Sequence, residues 1–280
     1  MSGRPRPRAR AALALAVAGL AAYAGWIEPR RLVVRTDALW LPRWPRALAG
    51  LRVGVLTDLH AGVFHAGEPV VARWVERMNA QRPDLVLLGG DYTDAHPLFG
   101  GRLPPERIAE RLAGLRAPLG SVAVLGNHDW RQFGMRMWTA LAEAGIPVLE
   151  NESRALEAPG GRFHVAGLAD VRHRRPNVAR ALAAVPAGEP VIVLSHDPDV
   201  FPHVPERVAL TVAGHTHGGQ VALPYLRRPF VPSRHGERFV RGHVIEHGRH
   251  MVVGAGLGTS GLPLRLLAPP ELLLLELLPG

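Results

Sequence analysis

Cysteine and lysine are both absent from this chain of 280 residues. Without cysteine the protein can form neither disulfides nor thiolate metal sites, so any bound metal must be held by nitrogen and oxygen ligands. Without lysine, all 33 basic residues are arginines, and their excess over 24 acidic residues gives a formal net charge of +9. The arginines are scattered rather than massed on one helix, so we expect no specific nucleic-acid binding.

Long hydrophobic runs are scarce, and the one near the N-terminus stands apart. Residues 4–10 read RPRPRAR and precede AALALAVAGLAAYAGWI, residues 11–27. A basic stretch before an apolar run is typical of a signal peptide or a signal anchor. As a helix the run would span about 25 Å, which suits a membrane crossing with Tyr23 and Trp26 at an interface.

We therefore predict a single N-terminal signal anchor over residues 1–27 in the cell membrane. A cleaved export signal, with Ala22-Tyr23-Ala24 as the cleavage site, is the alternative. The arginines before the apolar run favour a cytoplasmic N-terminus, so we expect the rest of the chain on the extracytoplasmic side.

After the apolar run the residue composition and pattern of the sequence change twice. Residues 28–50 are rich in proline and tryptophan and are predicted to be a connector with one short strand, LVVR. From residue 51 to 280 we predict one domain, in which short apolar runs alternate with helical stretches. This alternation favours an α/β fold with much parallel pairing. The predicted strands are 51–57, 84–89, 121–126, 163–168, 190–195, 208–214 and 271–278, with β-hairpins over 238–256. The predicted helices are 69–81, 104–116, 135–145 and 177–185.

Aspartate, histidine or asparagine follows five of the predicted strands where each strand ends. Because the carboxyl ends of strands in an open α/β sheet form the edge where ligands bind, we expect these side chains to gather in one place. Each motif alone has a plainer explanation, such as a helix cap, but five together favour a metal site. The residues are Asp58, His60, Asp91, Asn127, His128, Asp129, His196, His215 and His217.

The last of these motifs reads GHTHGGQ, with His215 and His217 two residues apart between glycines. On an extended segment two such histidines would point the same way. In a tight turn, which the glycines permit, they can instead diverge toward two different ions.

The ordered motifs TDLH, GGDYTD, GNHD, SHDPD and GHTHGGQ resemble those of the calcineurin-like metallophosphoesterase superfamily. The resemblance covers residues 51–278. Within the superfamily the chain is most similar to the membrane-anchored bacterial phosphodiesterase-like branch, with which it shares a late motif, GLGTSGLPLR, residues 256–265. The resemblance implies an α/β fold, a four-layer αββα sandwich of the metallophosphoesterase type behind an N-terminal hydrophobic helix.

The same resemblance implies a binuclear centre of two divalent metal ions, which could be Mn, Fe, Zn or Mg. By position, Asp58, His60 and His217 would hold the first ion. Asn127, His196 and His215 would hold the second. Asp91 would bridge the two.

The activity implied by the resemblance is that of a metal-dependent phosphoric ester hydrolase, either a phosphodiesterase or a pyrophosphatase. His128 is the candidate general acid or transition-state stabiliser, and Asp129 is the candidate for orienting it. The substrate stays open between a phosphoester small molecule, a lipid-linked ester and a nucleotide or nucleic acid; Arg131 or Arg265 could bind its phosphate. The non-enzymatic alternative is a membrane-tethered module that holds metals without turnover, against which the intact His128 argues.

Overall fold

The protein is described from a computed structural model over residues 7–94, 100–223 and 228–280. Its helices are α1 (Pro7–Ala22), α2 (Glu68–Asn79), α3 (Pro105–Leu112), α4 (Asn127–Gln132), α5 (Met135–Glu143) and α6 (Val178–Ala181). Its strands are β1 (Val33–Leu41), β2 (Leu51–Leu56), β3 (Leu85–Leu88), β4 (Ser121–Ala123), β5 (Glu152–Ala158), β6 (Gly161–Gly167), β7 (Val191–Leu194), β8 (Leu210–Ala213), β9 (Gly242–Glu246), β10 (Arg249–Val253) and β11 (Glu271–Pro279).

The strands form two sheets. The first has the order β1-β11-β2-β3-β4 and the second the order β5-β6-β7-β8-β10-β9. Pairing is parallel from β2 through β4 and from β6 through β8 to β10. Parallel strands therefore end together at one edge of each sheet, and the two edges lie at the same end of the molecule.

Successive side chains along each buried strand point to opposite faces of its sheet, so the apolar residues form three core layers, one between the sheets and one on the outer face of each. In β3, Leu85 and Leu87 join the core between the sheets, whereas Val86 and Leu88 pack toward α2, α3 and α5. In the second sheet the alternate residues of β7 pack toward α6 and the 3₁₀ helix Pro198–His203. This two-residue period is the one expected of strands buried on both faces. The predicted four-layer αββα sandwich is confirmed.

The segment 28–50 differs from the predicted connector. Its strand β1 has nine residues and pairs in parallel with β11 along its whole length, from Val33 opposite Glu271 to Leu41 opposite Pro279. Trp44 and Leu48 lie in the core between the sheets. This segment is therefore an integral part of the sandwich. The predicted hairpins of 238–256 are one hairpin, β9 with β10.

The N-terminal helix continues past α1 through a π-helical turn at Tyr23–Ile27 and a 3₁₀ turn at Glu28–Arg30. Residues Arg10–Arg30 are long and apolar enough to cross a membrane, with a mean hydropathy of 1.6. The last turns of this segment pack on the sandwich. The Ala24 carbonyl accepts a hydrogen bond from Arg265 N (2.9 Å), and Glu28 Oε1 accepts one from Ala268 N (2.8 Å).

Candidate metal centre

The seven side chains expected to bind metal all follow the carboxyl ends of β2, β3, β4, β7 and β8, and all are buried. Backbone contacts fasten these loops to one another across the two sheets. Gly214 N donates to His196 O (3.0 Å), and His215 N donates to the Asp58 carboxylate (3.0 Å). The structure thus brings residues from five separate loops into one place.

The side chains form two sets. The metal-ligand atoms of Asp58, His60 and His217 lie within 4.8 Å of one another, and so do those of the second set. That second set is Asp91, His196 and His215, with Asn127 Oδ1 at 3.2 Å from His196 Nε2. Asp91 Oδ2 lies 3.3 Å from His196 Nε2 and 3.6 Å from His60 Nε2. Asp91 therefore stands between the two sets.

Hydrogen bonds at the outer nitrogens decide the tautomers of two of the histidines. His196 Nδ1 donates to Gly89 O (2.8 Å) and His60 Nδ1 donates to Asp94 Oδ2 (3.1 Å). Carbonyl and carboxylate oxygens can only accept, so each of these nitrogens carries the proton in a neutral ring, and the inner nitrogen keeps the lone pair that a metal ligand requires. Burial would lower the pKa of His196, but the charge and hydrogen bond of Asp91 outweigh it and raise the pKa well above the usual value, so a cation bound there would replace a proton.

The inner nitrogens face each other at short range. His60 Nε2 is 3.1 Å from His217 Nε2, and His196 Nε2 is 3.0 Å from His215 Nδ1. Two ring nitrogens at such distances need either a proton or a metal cation between them. Burial lowers the pKa of His215 and of His217 well below the usual range, which keeps both rings neutral. The donor set therefore fits two divalent cations with nitrogen and oxygen ligands.

The backbone at these ligands adopts conformations that are uncommon outside glycine. The φ angle is positive at five of the seven residues, with values between 45° and 69°. Such strain clusters at functional sites, where the surrounding structure holds it in place. The five residues are Asp58, His60, Asp91, His215 and His217.

Neighbouring glycines leave the space that the carboxylates need. A Cβ at Gly214 would overlap Thr57 Oγ1 and Asp58 Oδ2, and one at Gly126 would overlap Asp91 Oδ1. The glycines of the GHTH and GNHD motifs are therefore needed for close packing around Asp58 and Asp91.

His128 borders the same centre without belonging to either set. Its ring lies edge-on to His60 with ring centroids 4.7 Å apart, and its backbone N–H donates to Asp91 Oδ1 (2.8 Å). Nδ1 lies 3.1 Å from Asp94 Oδ1 and 2.9 Å from Arg131 Nη2. Burial alone would lower the pKa of His128, but the hydrogen bond and charge of Asp94 outweigh it and raise the pKa.

The expectation that Asp129 orients His128 is corrected by the structure. The Asp129 carboxylate accepts hydrogen bonds from the backbone N–H groups of Gly126 (2.9 Å), Asp91 (2.8 Å) and Tyr92 (2.9 Å). It fixes the loop that carries Asp91, because two of these three backbone groups belong to that loop.

Asp94, at the end of the GGDYTD motif, is the carboxylate that contacts His128, and it also contacts His60. Burial would raise the pKa of Asp94, but hydrogen bonds from His128 and His60 lower it far below its usual range. The GGDYTD motif contains Asp94, but the motif alone predicts no role for it. Its position three residues after Asp91 is the signal that could have found it.

Of the two arginines considered for phosphate binding, Arg265 is fully buried. Its guanidinium donates to the carbonyls of Gly258 (3.0 Å), Ala255 (2.9 Å) and Ala268 (2.8 Å). Burial lowers its pKa to about 10. Arg265 therefore holds the loop of residues 255–268 in shape and cannot reach a substrate.

A cavity of about 480 Å³ opens above the two sets. Arg131 lines it beside His128, and Arg172, which the sequence did not single out, lines it beside His215. Arg172 Nη2 is 3.0 Å from His215 Nε2 and donates to Pro232 O (2.8 Å). The cavity is thus lined by histidines, the Asp91 carboxylate and two guanidinium groups, and the guanidinium groups suit an anionic ligand.

Comparison with known proteins agrees with this chemistry. The calcineurin-like phosphoesterase family matches residues 51–244. The metallophosphoesterase YkuE of Bacillus subtilis is 29% identical over 253 residues, covering 89% of this chain and 87% of the relative. Phosphodiesterase YaeI of Escherichia coli is 34% identical over 237 residues, covering 82% and 83%. A transmembrane protein with metallophosphoesterase domain of Danio rerio is 29% identical over 246 residues, covering 81% of this chain and 53% of that protein.

The family match and the similarity to YaeI each span most of the chain, and both include the loops that carry the buried histidines and carboxylates. We conclude that the protein belongs to the calcineurin-like phosphoesterase family and is a phosphoric ester hydrolase that depends on two divalent metal ions.

Proposed function

We propose that the protein is a membrane-anchored phosphodiesterase or pyrophosphatase. The observation that carries this proposal is the close approach of two pairs of inner histidine nitrogens, 3.1 Å and 3.0 Å apart, on either side of Asp91. One ion would be held by Asp58, His60 and His217 and the other by Asn127, His196 and His215, with Asp91 shared. When bound, the ions supply a water nucleophile near neutral pH and neutralise charge on the phosphoryl group.

His128 is proposed to donate a proton to the leaving oxygen. Its Nδ1 is held by Asp94, which turns the opposite nitrogen toward the cavity, where Ser260 Oγ lies 3.4 Å from Nε2. Asp94 also raises the pKa of the ring, so the proton is retained until the leaving group takes it. The role of Asp94 is to position His128, and Asp129 supports the same site through the backbone.

Arg131 and Arg172 are proposed to bind the phosphate oxygens that point away from the metals. Both line the cavity, Arg131 beside His128 and Arg172 beside His215, and a guanidinium can bind two such oxygens at once. Two guanidinium groups suit a phosphoester anion, and the similarity to a relative named phosphodiesterase favours a diester as the substrate.

The N-terminal helix is proposed to remain as an anchor in the cell membrane, with the catalytic domain on the extracytoplasmic side. Ala24 and Glu28 pack on the sandwich through hydrogen bonds to Arg265 and Ala268, so cleavage after Ala24 would remove part of a formed interface. The substrate would then be a phosphoester small molecule or a lipid-linked ester close to the bilayer.

The first experiment uses the full chain with added Mn²⁺ and compares hydrolysis of an aryl phosphodiester with that of an aryl phosphomonoester. We expect diester turnover, two metal ions per chain, and a loss of about 10²–10⁴-fold in turnover for His128→Ala with metal content unchanged. His203→Ala, on the exposed surface, is the matched control. Full turnover in His128→Ala would remove that residue from the mechanism, and a metal-loaded parent that hydrolyses neither ester would favour the binding module.

A further inference from the structure

An apolar groove of about 740 Å³ lies beside the metal-centre cavity. Its lining includes Val63, Phe64, Leu262 and Leu264, and among the described residues every side chain that lines it is apolar. Leu262 lines both the groove and the metal-centre cavity, so the two spaces adjoin. Phe64 is 54% exposed and Leu262 50%, which is unusual for large apolar side chains gathered in one groove.

The groove begins where the N-terminal helix meets the domain. Gly25, in the π-helical turn, forms part of its wall, and the next residue, Trp26, contacts Phe64 with ring centroids 5.7 Å apart. The helix before this point exposes Leu13 and Leu15 to its surroundings, as a helix in lipid does. The groove therefore connects the membrane end of the anchor with the metal-centre cavity.

The charges on this face suit a bilayer surface. Exposed Arg30, Arg73 and Arg77 line an adjoining pocket that shares Phe64 with the groove. Arg30 also stacks on Trp26, with its guanidinium carbon 3.6 Å from the ring centroid. Arginine and tryptophan together are typical of the level of lipid headgroups.

We propose that the groove binds the alkyl chain of an amphiphilic phosphoester substrate, which reaches the metal centre past Leu262. This inference rests on the proposed hydrolase function and names the class of substrate. An alkyl chain needs no hydrogen bonds, and the apolar side chains of the groove offer none; a peptide backbone in the same place would leave its polar groups unpaired. The chain would enter from the bilayer, beside the anchor, while the phosphate would lie between Arg131 and Arg172.

The test is a series of aryl alkyl phosphodiesters with alkyl chains from methyl to octyl, hydrolysed by the full chain in lipid nanodiscs with Mn²⁺. Complete burial of each methylene would raise kcat/KM about fourfold, and a groove open on one side should give roughly twofold for each. The dependence on chain length should flatten in Phe64→Ser and stay unchanged in Ile245→Ser. Ile245 is the matched control, because it is a large apolar residue, 59% exposed, on β9.

A second readout does not depend on turnover. An alkyl phosphonate with a diazirine at the end of its chain should label residues 62–64 or 262–264 on irradiation. If Phe64→Ser and the parent show equal dependence on chain length, the esters are concentrated by the bilayer alone and the groove proposal is wrong. Hydrolysis of the methyl ester with no effect of chain length, or labelling of other residues, would also reject the groove proposal but not the hydrolase proposal. Failure to hydrolyse any ester would reject the hydrolase proposal and this inference with it.

Discussion

Substitution of Asp94 by asparagine would disturb two histidines at once. One carboxylate oxygen lies 3.1 Å from His60 Nδ1 and the other lies 3.1 Å from His128 Nδ1. A carboxylate accepts from both rings, whereas an amide of the same shape accepts from one and presents its NH₂ group to the other. The ring that faces the NH₂ group must then move its proton to the opposite nitrogen.

If that ring is His60, the proton on Nε2 removes the lone pair that points toward Asp58 and His217. Changes to residues that orient a metal-binding histidine typically cost 10–100-fold in metal affinity or activity, or about 1.4–2.7 kcal/mol. We expect Asp94→Asn to lose affinity for one metal ion by this amount and to lose turnover further, because His128 is no longer held. Bound metal at a series of buffered free Mn²⁺ concentrations, and kcat at saturating Mn²⁺, measure the two effects separately.

Asp84→Asn is the matched control, because Asp84 accepts a backbone hydrogen bond from Arg52 N (2.8 Å) at the opposite ends of the strands. It should retain both metal affinities and kcat. An Asp94→Asn protein with parental metal affinity and parental kcat would show that neither ring depends on the carboxylate, and the tautomer argument for His60 would be refuted.

Two further predictions concern the loops around the centre. Gly214→Ala should lower the metal content of the purified protein, because the new Cβ would overlap Asp58 Oδ2. Gly101→Ala is the control and should bind metal normally, because a Cβ there would meet nothing within 4 Å. Equal metal content in the two variants would contradict the packing argument. Arg265→Met should lower the free energy of unfolding by about 3 kcal/mol or more, because several buried carbonyls lose their donor. Thermal unfolding should show this as a fall in Tm of roughly 6–12 °C, and an unchanged Tm would mean that other donors replace the guanidinium.

The buried parallel strands could be predicted from the sequence because both of their faces are apolar. Strands such as β3 and β7 appear as short uninterrupted apolar runs with a polar motif directly after them. Strand β1 is longer than the predicted strand LVVR, because its residues VVRTDALWL mix charged and apolar side chains and its partner β11 is distant in the sequence. Strand pairing over such a distance is not encoded in local periodicity.

The metal ligands could be identified because they follow strand ends in a fixed order, but their supporting residues could not. Asp94 and Asp129 are both acidic residues beside ligands, and only the folded loops show that Asp129 binds backbone while Asp94 binds rings. From the sequence, Arg265 could be either a surface residue or a phosphate-binding residue, whereas the fold buries it among backbone carbonyls. Such roles depend on which backbone groups a distant loop leaves unpaired.

The pairing of β1 with β11 sets an order of assembly. Strand β1 lies at the edge of the first sheet and is synthesised soon after the N-terminal helix. Its partner β11 follows all the other described strands in the chain. At ordinary rates of translation the residues between Leu41 and Glu271 take roughly 10–50 s to make. During that time the hydrogen-bonding edges of β1 are unpaired, which favours pairing with a neighbouring chain. The first sheet can be completed only after β11 is made, so a chain that lacks β11 would leave β1 without its partner among the described strands.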